Sequence, residues 1–174
     1  MRRLSWLALG LACACAALKP ALPQPWPMPD PALAPFQGQQ TQSVRVEGGG
    51  HSAEFVALVD CERGVVTLAG LSAQGQRLVK VRWDRRGVVV DADPAVAAHF
   101  DAVQALRDLV LARWPAAALE ASMRGGPWSF RQTPEQGRVL SLNGRIAVAV
   151  SPDGGTISHL QEGYRVTVRD LPRD

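Results

Sequence analysis

The sequence predicts one α+β domain, a strongly curved antiparallel sheet with two short helices packed on one face. Three observations predict it. Short stretches alternate apolar and polar residues with period two, as Val79, Val81 and Trp83 do against Lys80 and Arg82. Brief Gly, Asn and Asp turns join them, which favours strands that pair with their sequence neighbours. In the middle the period changes to that of a helix, then the alternation resumes.

The chain opens with Met1-Arg2-Arg3 and an uncharged apolar run of eleven residues, Leu4 to Ala14. A membrane-spanning helix needs about 20 apolar residues, so the run reads as an export signal that ends in small residues. Ala12-Cys13-Ala14 offers a cut that would release a soluble secreted protein. The stretch also resembles a bacterial lipobox, in which a cysteine thiol receives diacylglycerol and becomes the acylated first residue. Cys15 is the preferred lipidation site and Cys13 the alternative. Cys-x-Cys without a nearby His cluster supplies only two ligands, too few for a tetrahedral metal. Several acyl chains anchor firmly where one holds marginally. Ala16 follows Cys15, in place of the aspartate that resembles an inner-membrane retention signal, so the expected location is the periplasmic face of the outer membrane.

Removing residues 1 to 14 reduces the 19 basic residues to 17 against 16 acidic, so the net charge falls from +3 to +1. No Lys/Arg cluster with interleaved aromatics remains, and a nucleic-acid partner is not expected. Cys61 would be the one free thiol after processing at Cys15, and reads as buried and inert.

Residues 15 to 35 read as a lipidated start and a tether. Seven prolines in PALPQPWPMPDPALAP (20 to 35) deny both helix and sheet ladders, and extended polyproline II of sixteen residues reaches roughly 50 Å. Trp26 and Met28 are expected in solvent, with contact to the membrane surface or the domain as the other reading.

Residues 36 to 171 suffice for one domain with one core. TQSVRVEGGGHSAEFVALVD is a hairpin about Gly48-Gly49-Gly50, and GVVTLAGL (64 to 71), RLVKVRW (77 to 83) and GVVVDA (87 to 92) continue it. Asp93-Pro94 opens a helical turn, carboxylate as cap and proline first inside. Phe100, Val103, Leu106, Val110 and Trp114 recur at helical spacing, with Asp101, Arg107 and Asp108 elsewhere; Pro115 ends or kinks this helix before a second, PAAALEASM. The sheet resumes with WSFRQ (128 to 132), GRVLSLN (137 to 143), RIAVAVS (145 to 151), TISHL (156 to 160) and GYRVTVRDL (163 to 171). Asn143-Gly144 is a two-residue hairpin signal, and Ile146, Val148 and Val150 are expected on one side.

PFQGQQ (35 to 40), GLSAQGQRLVKVRWD (70 to 84), ALRDLVLARWPAAAL (105 to 119) and HLQEGYRVTVRDL (159 to 171) resemble bacterial lipoproteins of unknown function that are similar to the Lol carriers. Members are often encoded beside aryl polyene or fatty-acid-like biosynthesis genes and a transporter of the MMPL type. ARWP and EGYR are the most specific parts, and neither has an assigned chemistry. The resemblance implies a half-open β-barrel whose concave face is capped by the helices over an apolar cavity for acyl chains. Its partners would be a lipid or acyl chain, the outer membrane, and a periplasmic carrier or MMPL-type transporter. It carries over no catalytic residue.

Chemistry finds little support in the residues themselves. His51, His99 and His159 lie far apart and read as surface or capping groups; no metal and no cofactor is expected. Gly70-Leu71-Ser72-Ala73-Gln74 lacks the last glycine of a nucleophile elbow. Asp91 and Asp93 have same-face spacing but read as solvated or capping carboxylates. The expected role is therefore non-enzymatic: binding or transfer of an acylated or polyene-lipid product, or else docking of an envelope transporter or biosynthetic complex without a ligand. Val79, Val81, Trp83, Phe100, Leu106, Trp114, Leu140, Leu142 and Ile146 either pack as core or line the cavity. Burying some 300 Å² of acyl chain would contribute roughly 7 kcal/mol before ordering costs. A hollow interior would favour the lipid reading, a filled one docking.

Overall fold

The computed structural model describes residues 25–98 and 100–172. Ten strands form one sheet. The first five are β1 (Gly38–Gly48), β2 (His51–Glu62), β3 (Val65–Leu71), β4 (Arg77–Asp84) and β5 (Gly87–Ala92). After the helices come β6 (Trp128–Thr133), β7 (Gly137–Leu142), β8 (Arg145–Val150), β9 (Thr156–His159) and β10 (Tyr164–Asp170). Their order across the sheet is β5-β4-β3-β2-β1-β10-β9-β8-β7-β6, with antiparallel neighbours throughout. The first and last strands thus meet in the middle, and the strands flanking the helices form the open edges.

Three short helices, one more than expected, join β5 to β6: α1 (Pro94–Ala97), α2 (Ala102–Arg113) and α3 (Ala116–Ser122). Asp93 caps α1 through the Ala95 N–H, as its sequence position predicts. Asp101 breaks the run anew, its carboxylate accepting from Gln104 N, so α2 has its own start. Pro115 then separates α2 from α3.

The sheet curls around α2. The Trp114 ring, just past the end of this helix, lies 5.6 Å from that of Trp83 on β4, while the Trp114 carbonyl accepts from Arg138 on β7. In a flat sheet β4 and β7 would stand seven strand spacings, or about 34 Å, apart. A twelve-residue helix is only about 18 Å long. Both contacts exist because the two halves of the sheet bend toward each other over one apolar core.

Two local features set which side chains face that core. Asn143 and Gly144 both have positive φ, 50° and 78°, as a tight two-residue hairpin requires. Just beyond, Leu140 pairs with Val148 but Ser141 pairs with Ile146, so Ala147 is an extra residue, a β-bulge. The bulge turns Ala147 and Val148 both inward and leaves Ile146 45% exposed. This corrects the placement of Ile146 beside Val148: the period-two rule fails where one residue is inserted.

The N-terminal segment also departs from expectation. Trp26 is buried within the core cluster, Pro29 and Pro31 are buried, and a 3-10 turn at Pro31–Leu33 packs on β3 and β4. Proline denies this segment a strand or helix, but not burial. Residues 25 to 35 therefore lie against the domain instead of standing off as a solvated tether. Cys13 and Cys15 lie outside the described residues.

Candidate functional site

The residues expected to line a cavity lie between the sheet and α2, except Ile146. Val79, Val81 and Trp83 alternate inward from β4, Leu140 points in from β7, and Leu106 and Trp114 come down from the helix layer. Val81, Leu106, Trp114 and Leu140 are 0% exposed, so no probe the size of water reaches them from any side. Phe100 and Leu142 are half-buried against the same cluster, and Phe100 meets Phe55 edge to face at 5.4 Å. The hollow expected at these side chains is filled by Trp83, Trp114 and their neighbours.

The other side of α2 is polar. Asp108 projects from the helix into the interior, where its Oδ1 accepts from Gln104 Nε2 at 2.9 Å and from His159 Nε2 at 3.0 Å. Where Asp108 Oδ1 is the acceptor, His159 Nε2–H is the donor. Nδ1 of the same ring faces Glu162 Oε2 at 3.5 Å, an ion-pair separation without hydrogen-bond geometry. Tyr164 stacks on the imidazole, ring centroids 4.1 Å apart. Burial foremost, then the charges of Asp108 and Glu162, drives the Tyr164 hydroxyl far above the usual phenol range. Gly48 on β1 makes room for this tyrosine, because a Cβ there would lie 2.6 Å from Tyr164 Cβ.

Two arginines complete this seam. Arg138 Nη1 donates to Leu111 O and Trp114 O, each at 2.8 Å, and so satisfies carbonyls that the end of α2 leaves open. Burial, then the nearby Arg113 charge, lowers the Arg138 pKa. Arg113 Nη2 pairs with Asp170 Oδ1 at 2.9 Å, and the same oxygen accepts from buried Gln42.

Residues 39–172 match the family described as "Protein of unknown function (DUF3261)", most of the chain. The chain belongs to the DUF3261 family. No curated protein matches it. In this DUF3261 domain, the two motifs without assigned chemistry bracket the polar seam. ARWP supplies Arg113, buried Trp114 and the proline between α2 and α3; EGYR supplies Glu162, a left-handed Gly163 at φ 70° and Tyr164.

His159, read from sequence as a surface or capping group, is 2% exposed. Asp108, read as falling off the helix's buried stripe, is 6% exposed. The pair spans 51 residues, so no local spacing announces it; the available signal was a carboxylate between Leu106 and Leu109 and Val110 on the buried side of α2. His51 is exposed, and His99 lies outside the described residues. Asp91 pairs with Arg77 at 3.1 Å, and Asp93 caps α1. Cys61 is buried on β2, and burial, then Asp60, pushes its thiol up to about 11. Among the described residues no cluster of His, Cys, Asp and Glu has the makings of a metal site, and no helix is long and apolar enough to cross a membrane.

Proposed function

We propose that this protein is a non-enzymatic lipoprotein of the outer membrane that takes up or passes on an acylated product on the periplasmic side, by lifting α2 and α3 off the sheet. The observation that supports this reading is the way the cover is attached. One flank of α2 rests on apolar rings, while the other is held by a few polar contacts: two from Arg138 and one each from His159 and Asp170. A permanent core gains as much from well-packed apolar residues as from buried polar pairs. Such pairs instead define one closed position, from which the helices can leave as a unit. The surface uncovered would be the apolar face carrying Val79, Val81 and Leu140. Because the interior is filled, opening is a necessary step of this proposal and a standing cavity is no part of it.

The filled interior favours a second reading, a docking lipoprotein with no ligand of its own. Edge strand β5 supports it, since Val89 and Val90 stay 64% and 42% exposed there. Native mass spectrometry of the full chain extracted from its own membrane, with and without delipidation, separates the two. A bound apolar mass that delipidation removes is the expected result. Folded protein repeatedly free of such a mass, together with α2 amides that exchange no faster than those of β1 and β10, would leave only docking.

A further inference from the structure

A second feature lies at one end of the sheet, away from the α2 seam. Arg63 in the β2–β3 turn, Arg82 near the end of β4, and Arg85 and Arg86 in the β4–β5 turn line a depression of about 500 Å³ beside Ala32 and Gly64. Three of the four guanidinium groups have carboxylate partners. Arg82 pairs with Asp84, Arg85 with Asp30 at 3.3 Å, and Arg63 with Glu62 at 3.6 Å. Arg86 makes no side-chain ion pair among the described residues; its backbone N–H donates to Asp84 Oδ1 at 2.8 Å. Four cations against Glu62, Asp84 and Asp30 leave the basin one positive charge in excess.

The pairing is weak where it matters. The Arg63 and Arg85 side chains remain 90% and 79% exposed, and exposed ion pairs hold their partners loosely. Asp30 and Asp84 each spend an oxygen on the backbone, on Ala32 N and Arg86 N, so these carboxylates shape the turns as well as neutralise charge. A phosphate group brings more charge and more acceptor oxygens than a carboxylate. Planar guanidinium forks bind it through paired N–H donors.

We propose that the basin formed by Arg63, Arg82, Arg85 and Arg86 is a phosphate-binding site, for the phosphate of an anionic lipid headgroup or of a small soluble ester. The buried Trp26 segment and its 3-10 turn fasten the N-terminal part of the domain to β3 and β4 beside this basin. The site itself does not depend on acyl-chain carriage.

The full chain in nonionic dodecyl maltoside micelles provides the test, read by the NMR shifts of arginine Nε–H groups. One arm dopes the micelles with phosphatidylglycerol, and the other adds inorganic phosphate. Saturable shifts at Arg63, Arg85 and Arg86 are expected in at least one arm. The Arg63→Ala/Arg86→Ala variant should bind about tenfold more weakly, the scale of one or two charge-assisted contacts. Arg131→Ala/Arg169→Ala, which removes two exposed arginines elsewhere, should bind as the parent does. Asp30→Asn keeps an oxygen for Ala32 N and frees Arg85, so it should bind about threefold more tightly. Response to the doped micelles alone assigns the headgroup; response to phosphate alone assigns the soluble ester. No saturable shift in either arm, equal weakening in the control variant, or no gain in Asp30→Asn would overturn the site.

Discussion

The two flanks of α2 are held by different physics. Toward β4 the contact is apolar: Trp114 lies tilted against Trp83, and Leu106 and Val110 are fully buried. Toward β7, β9 and β10 it is directional, made of Arg138 on two carbonyls, Asp108 on His159 and Arg113 on Asp170. Apolar contact supplies free energy in proportion to area and is indifferent to small slides. Hydrogen bonds from fixed strands add little net energy but accept one position only. The β4 flank thus keeps the helix on the sheet, and the other decides where it sits.

Substitutions on the two flanks should fail in different ways. The largest effect is expected from Trp114→Ala, which empties the space between β4 and α2 and should cost about 3–5 kcal/mol in urea unfolding. A loss below about 1 kcal/mol would mean that the apolar flank is not what holds the helix. Next comes Asp108→Ala, which leaves His159 Nε2–H buried without its acceptor and should cost about 1–3 kcal/mol. In Asp108→Ala/His159→Leu part of that loss should return; a purely additive double mutant would deny the coupling.

Alkaline pH probes the two halves of the sheet, Cys61 on β2 and Tyr164 on β10, without touching α2. Cys61 and Tyr164 both hold their protons more tightly folded than unfolded. The folded state keeps the proton that the unfolded state gives up, so their contribution is complete at neutral pH and is lost as pH rises. For Cys61 the loss runs from about pH 9 to 11, and Cys61→Ala should abolish it. For Tyr164 it begins near pH 10, at a slope of up to about 1.4 kcal/mol per pH unit, and Tyr164→Phe should flatten it. Unfolding midpoints that stay level from pH 9 to 11 in the parent would contradict both. Smallest is Arg113→Ala at the exposed rim of the seam, expected to cost below about 1 kcal/mol while α2 amides exchange faster.

Much of the sheet was legible in the residues, because alternation and turn chemistry are local. Ten strands follow from those patterns, and Asn143-Gly144 marks its hairpin. What local patterns missed depends on distant partners or on a single inserted residue. Ala147 reverses Ile146 with no unusual residue type to signal it. Trp26 looks like part of a proline-rich linker until β3 and β4 provide a surface. The Asp108–His159 pair exists only once the sheet has curled. Of the residues expected to line the interior, the inward positions on β4, β7 and α2 were readable, and their close packing was not, since filling depends on how far two halves of a sheet bend.

The strand order has a consequence for how the chain matures. Every neighbouring pair of strands is also consecutive in sequence, except at the centre, where Gln42 meets Asp170 across 128 residues. Each half can assemble by zipping local hairpins, whereas their union must wait for β10, the last of the ten strands to be synthesised. Until it arrives, β1 presents a bare flank to any passing strand. Newly made protein should therefore depend most on a holding chaperone in that interval, and linking the end of β10 to the start of β1 while opening the chain within the α1–α3 crossover should shorten the delay.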